Sequence, residues 1–176
     1  MDRMSEPSPD RDELLRRAFF TYLVGNPDAH AKNYSVVFRN GRISLASAYN
    51  INNAGAFRDC FKDVRARMAM AIGGCFDPFA LTGGIWDAFA RETGFTPARV
   101  RLGLEQLAQR MAKAAPEVAD ALRGGIEWSD RIDIAVADIV ARCAAVPTML
   151  ERTSSPVEPN QVAGADNADE HIFSGP

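Results

Sequence analysis

Gly25-Asn26-Pro27-Asp28-Ala29-His30-Ala31-Lys32-Asn33-Tyr34-Ser35 is the stretch on which the reading of this chain turns. It gathers a turn, a carboxylate, an imidazole, an ammonium and a carboxamide into one short loop. Asp28 and Asn33 stand five positions apart, so both side chains leave a single backbone excursion and can converge on one point. Phosphoryl transfer of the protein-kinase type asks for that arrangement, with an Asp that orients and deprotonates a hydroxyl and an Asn oxygen that holds Mg²⁺ against phosphates. A second reading accounts for the same residues. Asn-Pro-Asp is good turn chemistry, with Pro presetting φ and Asp bonding its own backbone, and a polar connecting loop needs nothing more.

Working outward, residues Asp10 to Val24 read as a helix. Leu14, Leu15, Ala18, Phe19, Tyr22 and Leu23 recur at helical spacing, and Asp12, Glu13, Arg16 and Arg17 take the opposite face. Acidic residues crowd its start, as the macrodipole favours, and Gly25 stops it. Beyond the loop, Tyr34 to Phe38 and Arg42 to Leu45 are strand-like runs flanking Asn40-Gly41, a strong hairpin signal. The hairpin is expected to carry Asn50 back beside Asn33.

Ala54 to Asp63 reads as a loop, and Val64 to Ile72 as a short helix ended by Gly73-Gly74. Thr82 is placed to cap a helix from Gly84 to Thr93, with Ile85, Trp86 and Phe89 inward. Thr96-Pro97 marks a further start, a cap followed by Pro at the first helical position. That helix is expected to reach Ala114, with Val100, Leu104, Leu107 and Met111 inward. A short helix from Pro116 to Leu122 and a longer one from Ser129 to Cys143 complete the set. Trp86 and Trp128 are expected in the core rather than against a ligand. Beyond Arg152 the chain is polar, proline-punctuated and aperiodic, and is expected to be a disordered tail in which His171 is solvated.

The blocks G-N-P-D-A-H-A-K-N-Y-S-V-V-F, L-A-S-A-Y-N-I and M-A-M-A-I-G-G, in that order, resemble the C-terminal lobe of HipA-like serine/threonine kinases, the toxin components of bacterial toxin–antitoxin modules. The resemblance covers roughly Asp10 to Arg110. It implies a mainly α (α+β) fold, the helical C-lobe of a protein-kinase-like architecture with one small β-hairpin. Residues 1–9 would then be a polar N-terminal segment, 10–151 the lobe, and 152–176 the tail. The implied activity is transfer of the ATP γ-phosphoryl group to a protein serine. Asp28 takes the catalytic-base position, Asn33 and Asn50 the metal positions, and His30 and Lys32 the family's loop positions toward the nucleotide. ATP and Mg²⁺ are the implied cofactors. A helix-turn-helix antitoxin and, for some members, an aminoacyl-tRNA synthetase substrate are the implied partners.

Two departures qualify this. The family carries Asp where this chain has Asn50 after Tyr49. A carboxamide offers Mg²⁺ an oxygen without charge, and Mg²⁺ favours anionic oxygens. Asn50 as a plain loop residue beside Asn52 and Asn53 is the alternative. The second departure is larger, because only Met1 to Asp10 precedes the first helix, and neither Gly73-Gly74 nor Gly83-Gly84 belongs to a phosphate-loop pattern. The chain is therefore expected to be half of an enzyme, inactive when isolated. It is read either as a remnant or helical binding module, or as a split kinase whose N-lobe is a separate polypeptide.

Composition sets the remaining bounds. The 176 residues suit one domain, and 47% apolar content is ordinary for a globular protein. The formal net charge is −3 with no basic run, which speaks against direct nucleic-acid binding. No apolar stretch approaches the roughly 20 residues of a membrane span, and the N-terminus lacks a signal peptide's apolar region. Cys60, Cys75 and Cys143 form no C-x-x-C pair, so reduced, mostly buried thiols in a cytoplasmic protein are expected.

Overall fold

A computed structural model describes residues 7–60, 67–123 and 130–153. Among these, four helices and one antiparallel hairpin form the framework: α1 (Pro7–Val24), β1 (Val36–Arg39), β2 (Arg42–Leu45), α2 (Gly83–Thr93), α3 (Pro97–Leu122) and α4 (Asp130–Glu151). Segments of 3-10 helix over Ala31–Asn33 and, kinked at Phe57, over Ala54–Cys60 flank the hairpin. The mainly helical fold with one small hairpin is thus as expected.

The core sits where α1, α2, α3 and α4 meet. Leu15, Phe19 and Leu23 repeat every four residues along α1 and are buried, as are Ile85 and Trp86 of α2, Val100, Leu104 and Ala108 of α3, and Val146, Met149 and Leu150 of α4. Trp86 is the centre. Phe19, Tyr22 and Phe89 each meet its ring edge-on at a centroid distance of 5.6 Å, the geometry that aromatic quadrupoles favour. Gly103 lets α3 approach α1, since a Cβ there would lie 2.9 Å from the Phe19 ring.

The caps follow the sequence. Thr82 and Thr96 accept the amide hydrogens of Ile85 and Arg99, each at 3.3 Å. Gly25 closes α1 in the left-handed region at φ 76°. Its amide bonds the Tyr22 carbonyl at 3.0 Å and that of Asn26 the Thr21 carbonyl at 2.9 Å, which together make a Schellman end. At the hairpin tip Asn40 and Gly41 both have positive φ, 50° and 75°. This two-residue turn sets the register Val36↔Leu45 through Arg39↔Arg42.

Several expected boundaries are corrected. The described part of the Val64–Ile72 helix, from Arg67, is not helical. Its donors are taken by distant partners, with Met68 bonding the Phe76 carbonyl and Ala69 the Pro27 carbonyl, each at 2.8 Å. Ile72 pairs with Cys75 around Gly73-Gly74 instead. Ala54–Cys60, expected as loop, is 3-10 helical on either side of a kink at Phe57. The separate helices before and after Ala115 are one helix, α3, with Pro116 inside it. Proline forgoes the bond to the carbonyl four residues back, but packing against α4 persists across it, and Ala119 is buried. α4 continues past Cys143 to Glu151, through Pro147, because Val146, Met149 and Leu150 prolong its apolar stripe.

Arg17, assigned to the solvent face, is only 8% exposed. Its guanidinium bonds Glu13 and reaches the Ala46 carbonyl after β2. The long charged side chain is buried because it has partners at its tip. Cys75 and Cys143 are free thiols, both pushed up in pKa by burial. Trp128, the Cys60 side chain and the tail from residue 154, including His171, lie outside the described residues.

Candidate catalytic loop and metal position

The loop after α1 is organised from its buried first residue. Asn26 is 6% exposed. Its Oδ1 accepts the Asp28 amide hydrogen at 3.1 Å, and its Nδ2 donates to the Asn50 carbonyl at 3.4 Å. One side chain therefore shapes the turn that presents Asp28 and also fastens it to the segment after the hairpin.

From Asp28 the backbone tightens. The His30 amide donates to the Asp28 carbonyl at 2.8 Å, and the Asn33 amide to the His30 carbonyl at 2.9 Å. The Asn33 side chain closes the loop by donating from Nδ2 to the same Asp28 carbonyl at 2.7 Å. That bond leaves the Asn33 Oδ1 facing outward. Asn50, held in the left-handed region at φ 53°, directs its Nδ2 to this oxygen at 3.1 Å. Asn tolerates that backbone region better than most residues.

Asp28, Asn33 and Asn50 are therefore brought together, by α1's end, the Ala31–Asn33 turn and the return of the hairpin. The Asp28 carboxylate is largely exposed, with its Oδ1 3.8 Å from the His30 Nε2. The His30 Nδ1 is buried without a hydrogen-bond partner among the described residues. Lys32 is exposed, and its contribution to the loop is a backbone one, its carbonyl accepting the Tyr49 hydroxyl at 2.8 Å. Tyr49 also lies 2.7 Å from the Ser35 hydroxyl, pinning the block that precedes Asn50. Burial raises the pKa of the neighbouring Tyr34.

Three supports were not assigned from sequence: Asn26, Arg17 and Asn53. Asn53 Nδ2 donates to the Val24 carbonyl at 2.6 Å and to Asp138 Oδ2 at 3.1 Å. Asn26 had a legible signal in Gly-Asn-Pro after a helix. Asn53 had none for these two bonds, since their acceptors lie in α1 and α4.

Comparison with known proteins places the chain in a family. The family model of the HipA-like C-terminal domain matches residues 1–115. The chain belongs to that family. This HipA-like domain is 30% identical over 116 residues to Putative kinase Y4mE of Sinorhizobium fredii, covering 66% of the chain and 27% of the relative. It is also 30% identical over 112 residues to the serine/threonine-protein kinase toxin HipA of Shewanella oneidensis, covering 64% and 25%. The matched part thus spans about a quarter of each curated relative. The fold of the chain matches a chain in the Shewanella oneidensis MR-1 complex of HipA, HipB and operator DNA, with a TM-score of 0.73 and 22% identity, over 86% of this chain and 35% of that one. No helix among the described residues is long and apolar enough to cross a membrane.

Proposed function

We propose that this domain supplies the catalytic-loop side of a serine/threonine kinase centre, with a metal position weakened at Asn50. The observation that carries the proposal is the 3.1 Å contact between Asn50 and Asn33, on the loop that presents Asp28. In the proposed reaction Asp28 takes the proton of a protein serine hydroxyl. The serine oxygen bonds the γ-phosphorus of ATP, and the bond from that phosphorus to the β–γ bridging oxygen breaks, releasing ADP.

The residues fit Mg²⁺ in position. Adjacent oxygens around a cation with bonds of ~2.1 Å lie about 3 Å apart, close to the Asn33–Asn50 separation. Turning the Asn50 carboxamide over exchanges its nitrogen for oxygen, an assignment that rests on the hydrogen-bond network. When bound, the ion would neutralise phosphate charge. The donors from Asn33 and Asn50 are neutral, so most of its anionic ligation falls to the nucleotide. Among the described residues no cluster of three or more His, Cys, Asp or Glu residues surrounds a common point. The cavity that Asn33 and Asn50 line is about 20 Å³, enough for roughly one water molecule and far from a nucleotide.

That small cavity and the neutral Asn50 favour a second reading, in which the isolated chain is inactive and acts as a helical binding module. A separately encoded nucleotide-binding lobe, a helix-turn-helix antitoxin and an aminoacyl-tRNA synthetase are the proposed partners, the cytoplasm the proposed location. Radiolabelled ATP distinguishes the readings. The full chain is expected to show negligible transfer alone, and strong transfer lost in Asp28→Ala overturns the inactive reading. Asn50→Asp is expected to tighten Mg²⁺ binding. In a complex that restores the nucleotide lobe, it should raise the rate by as much as ~10²–10³-fold, the size of one preorganised electrostatic element. An Asn50→Asp chain that binds Mg²⁺ no better removes Asn50 from the metal position.

A further inference from the structure

The family match ends at residue 115, yet α4, wholly beyond it, grips the segments that carry the candidate site. We propose that Asp138 of α4 is a positioning residue for the Asn33–Asn50 pair, acting through Asn53. The functional meaning rests on the kinase-centre reading above; the positional claim does not.

The geometry runs in an unbroken chain. Asp138 Oδ2 accepts from Arg142 Nε at 2.8 Å and from Asn53 Nδ2 at 3.1 Å. Asp138 and Arg142 are only 12% and 14% exposed. A carboxylate so enclosed depends on its donors, because leaving it short of them costs its full desolvation. Asn53 uses both ends of its carboxamide. Its Nδ2 also bonds the Val24 carbonyl at the end of α1, and its Oδ1 accepts the Ala56 amide hydrogen at 2.7 Å. One side chain, three residues after Asn50, thereby joins α1, α4 and the 3-10 segment that begins at Ala54.

Two glycines record how closely the backbone approaches this pair. A Cβ at Gly55 would stand 2.6 Å from the Asp138 Cγ, and one at Gly25 would stand 2.8 Å from Arg142 Nε. Gly25 and Ala54 are themselves bonded, through the Gly25 carbonyl and Ala54 amide at 3.1 Å. Gly25 precedes Asn26, which holds both the Asp28 amide and the Asn50 carbonyl. At the start of α4, Arg131 donates to the Ala56 carbonyl at 2.6 Å and stacks over Phe57. α4 therefore fixes the distance between the segment that presents Asp28 and the segment that presents Asn50. The side chain at the junction is Asp138.

The test reads the carboxamide signals of Asn33, Asn50 and Asn53 in ¹H–¹⁵N spectra of the full, metal-free chain. In Asp138→Ala all three are expected to shift, with hydrogen exchange of the Asn53 carboxamide faster by roughly tenfold, the scale of losing a bond to a charged acceptor. Asp87→Asn breaks an ion pair between α2 and α3, away from the site, and should leave these signals in place. A merely structural role would move both variants alike. Should Asp138→Ala fail to fold, Asp138→Asn keeps the volume and an acceptor for Asn53, and should shift the same signals less and in the same direction. If either folded variant moves Asn53 but leaves Asn33 and Asn50 unchanged, or if Asp87→Asn reproduces the shifts, the proposal is overturned. Mn²⁺ added afterwards separates the two claims. Failure of Mn²⁺ to broaden Asn33 and Asn50 in the unmodified chain removes the metal position, whereas the metal-free spectra alone decide the role of Asp138.

Discussion

Around Trp86 the domain is held by volume, and around Asn50 it is held by direction. Trp86 is fully buried and enclosed by three aromatic rings, contacts that tolerate small rotations because dispersion and apolar burial are non-directional. Asp28, Asn33 and Asn50 are half-buried to exposed, and their mutual placement depends on a few hydrogen bonds from Asn26, Asn53 and Tyr49. The helical side can therefore lose a bond and keep its shape, whereas the site can lose its geometry with the helices intact.

The largest expected effect tests the helical side. Trp86→Ala should cost about 3–5 kcal/mol, as large aromatic truncations in cores do. Urea unfolding with an unchanged slope would show it as a lower midpoint. A loss below about 1 kcal/mol would mean that Trp86 is not the centre of the core, and the contrast fails.

Asn26→Ala should cost less, about 1–3 kcal/mol for the buried partners it leaves unmet. Its structural effect should be confined to the site. Amide exchange is expected to rise at Asp28, Asn33 and Asn50 while α3 keeps its protection, and a uniform rise across α3 would erase the distinction between the two regions.

Thr96→Ala removes an exposed cap from α3 and should cost ~1 kcal/mol. Circular dichroism during thermal unfolding should show a shift of a few degrees, with the site's carboxamide signals unmoved.

The smallest effect concerns acid. Arg101 holds the Asp87 carboxyl below the usual carboxylate range, chiefly by hydrogen bonding, with two contacts of 2.7 Å. A depressed pKa contributes stability above the unfolded value of about 3.9, and that part is lost as pH falls through the folded value. Both partners are partly exposed, so solvent screening keeps the term small. Asp87→Asn should flatten the stability–pH curve below about pH 4 and leave its slope at neutral pH unchanged. An unchanged acid limb would remove Asp87 from the pH response.

Local chemistry makes much of this legible in the sequence. Gly25, Asn40-Gly41, Thr82 and Thr96-Pro97 each demand a backbone conformation or a cap within a few residues, and each stands at the boundary it announced. Asp28 and Asn33 were readable as a pair because five residues of one loop bring them together. Where a segment's donors find partners far along the chain, the local signal misleads. Met68 and Ala69 look helical and bond Phe76 and Pro27. Pro116 looks like a stop and lies inside α3.

The sequence by itself determined the helices' caps, the hairpin turn, the apolar stripes and the loop that presents Asp28 and Asn33, because each depends on neighbours within about one turn of chain. Packing between distant segments is what buries Arg17, lets Asn26 and Asn53 brace the loop, and brings Asp138 to the Asn53 carboxamide 85 positions away. Bonds of that kind join segments whose separation in sequence carries no periodicity, and they exist only once apolar packing around Trp86 has brought α1 and α4 together.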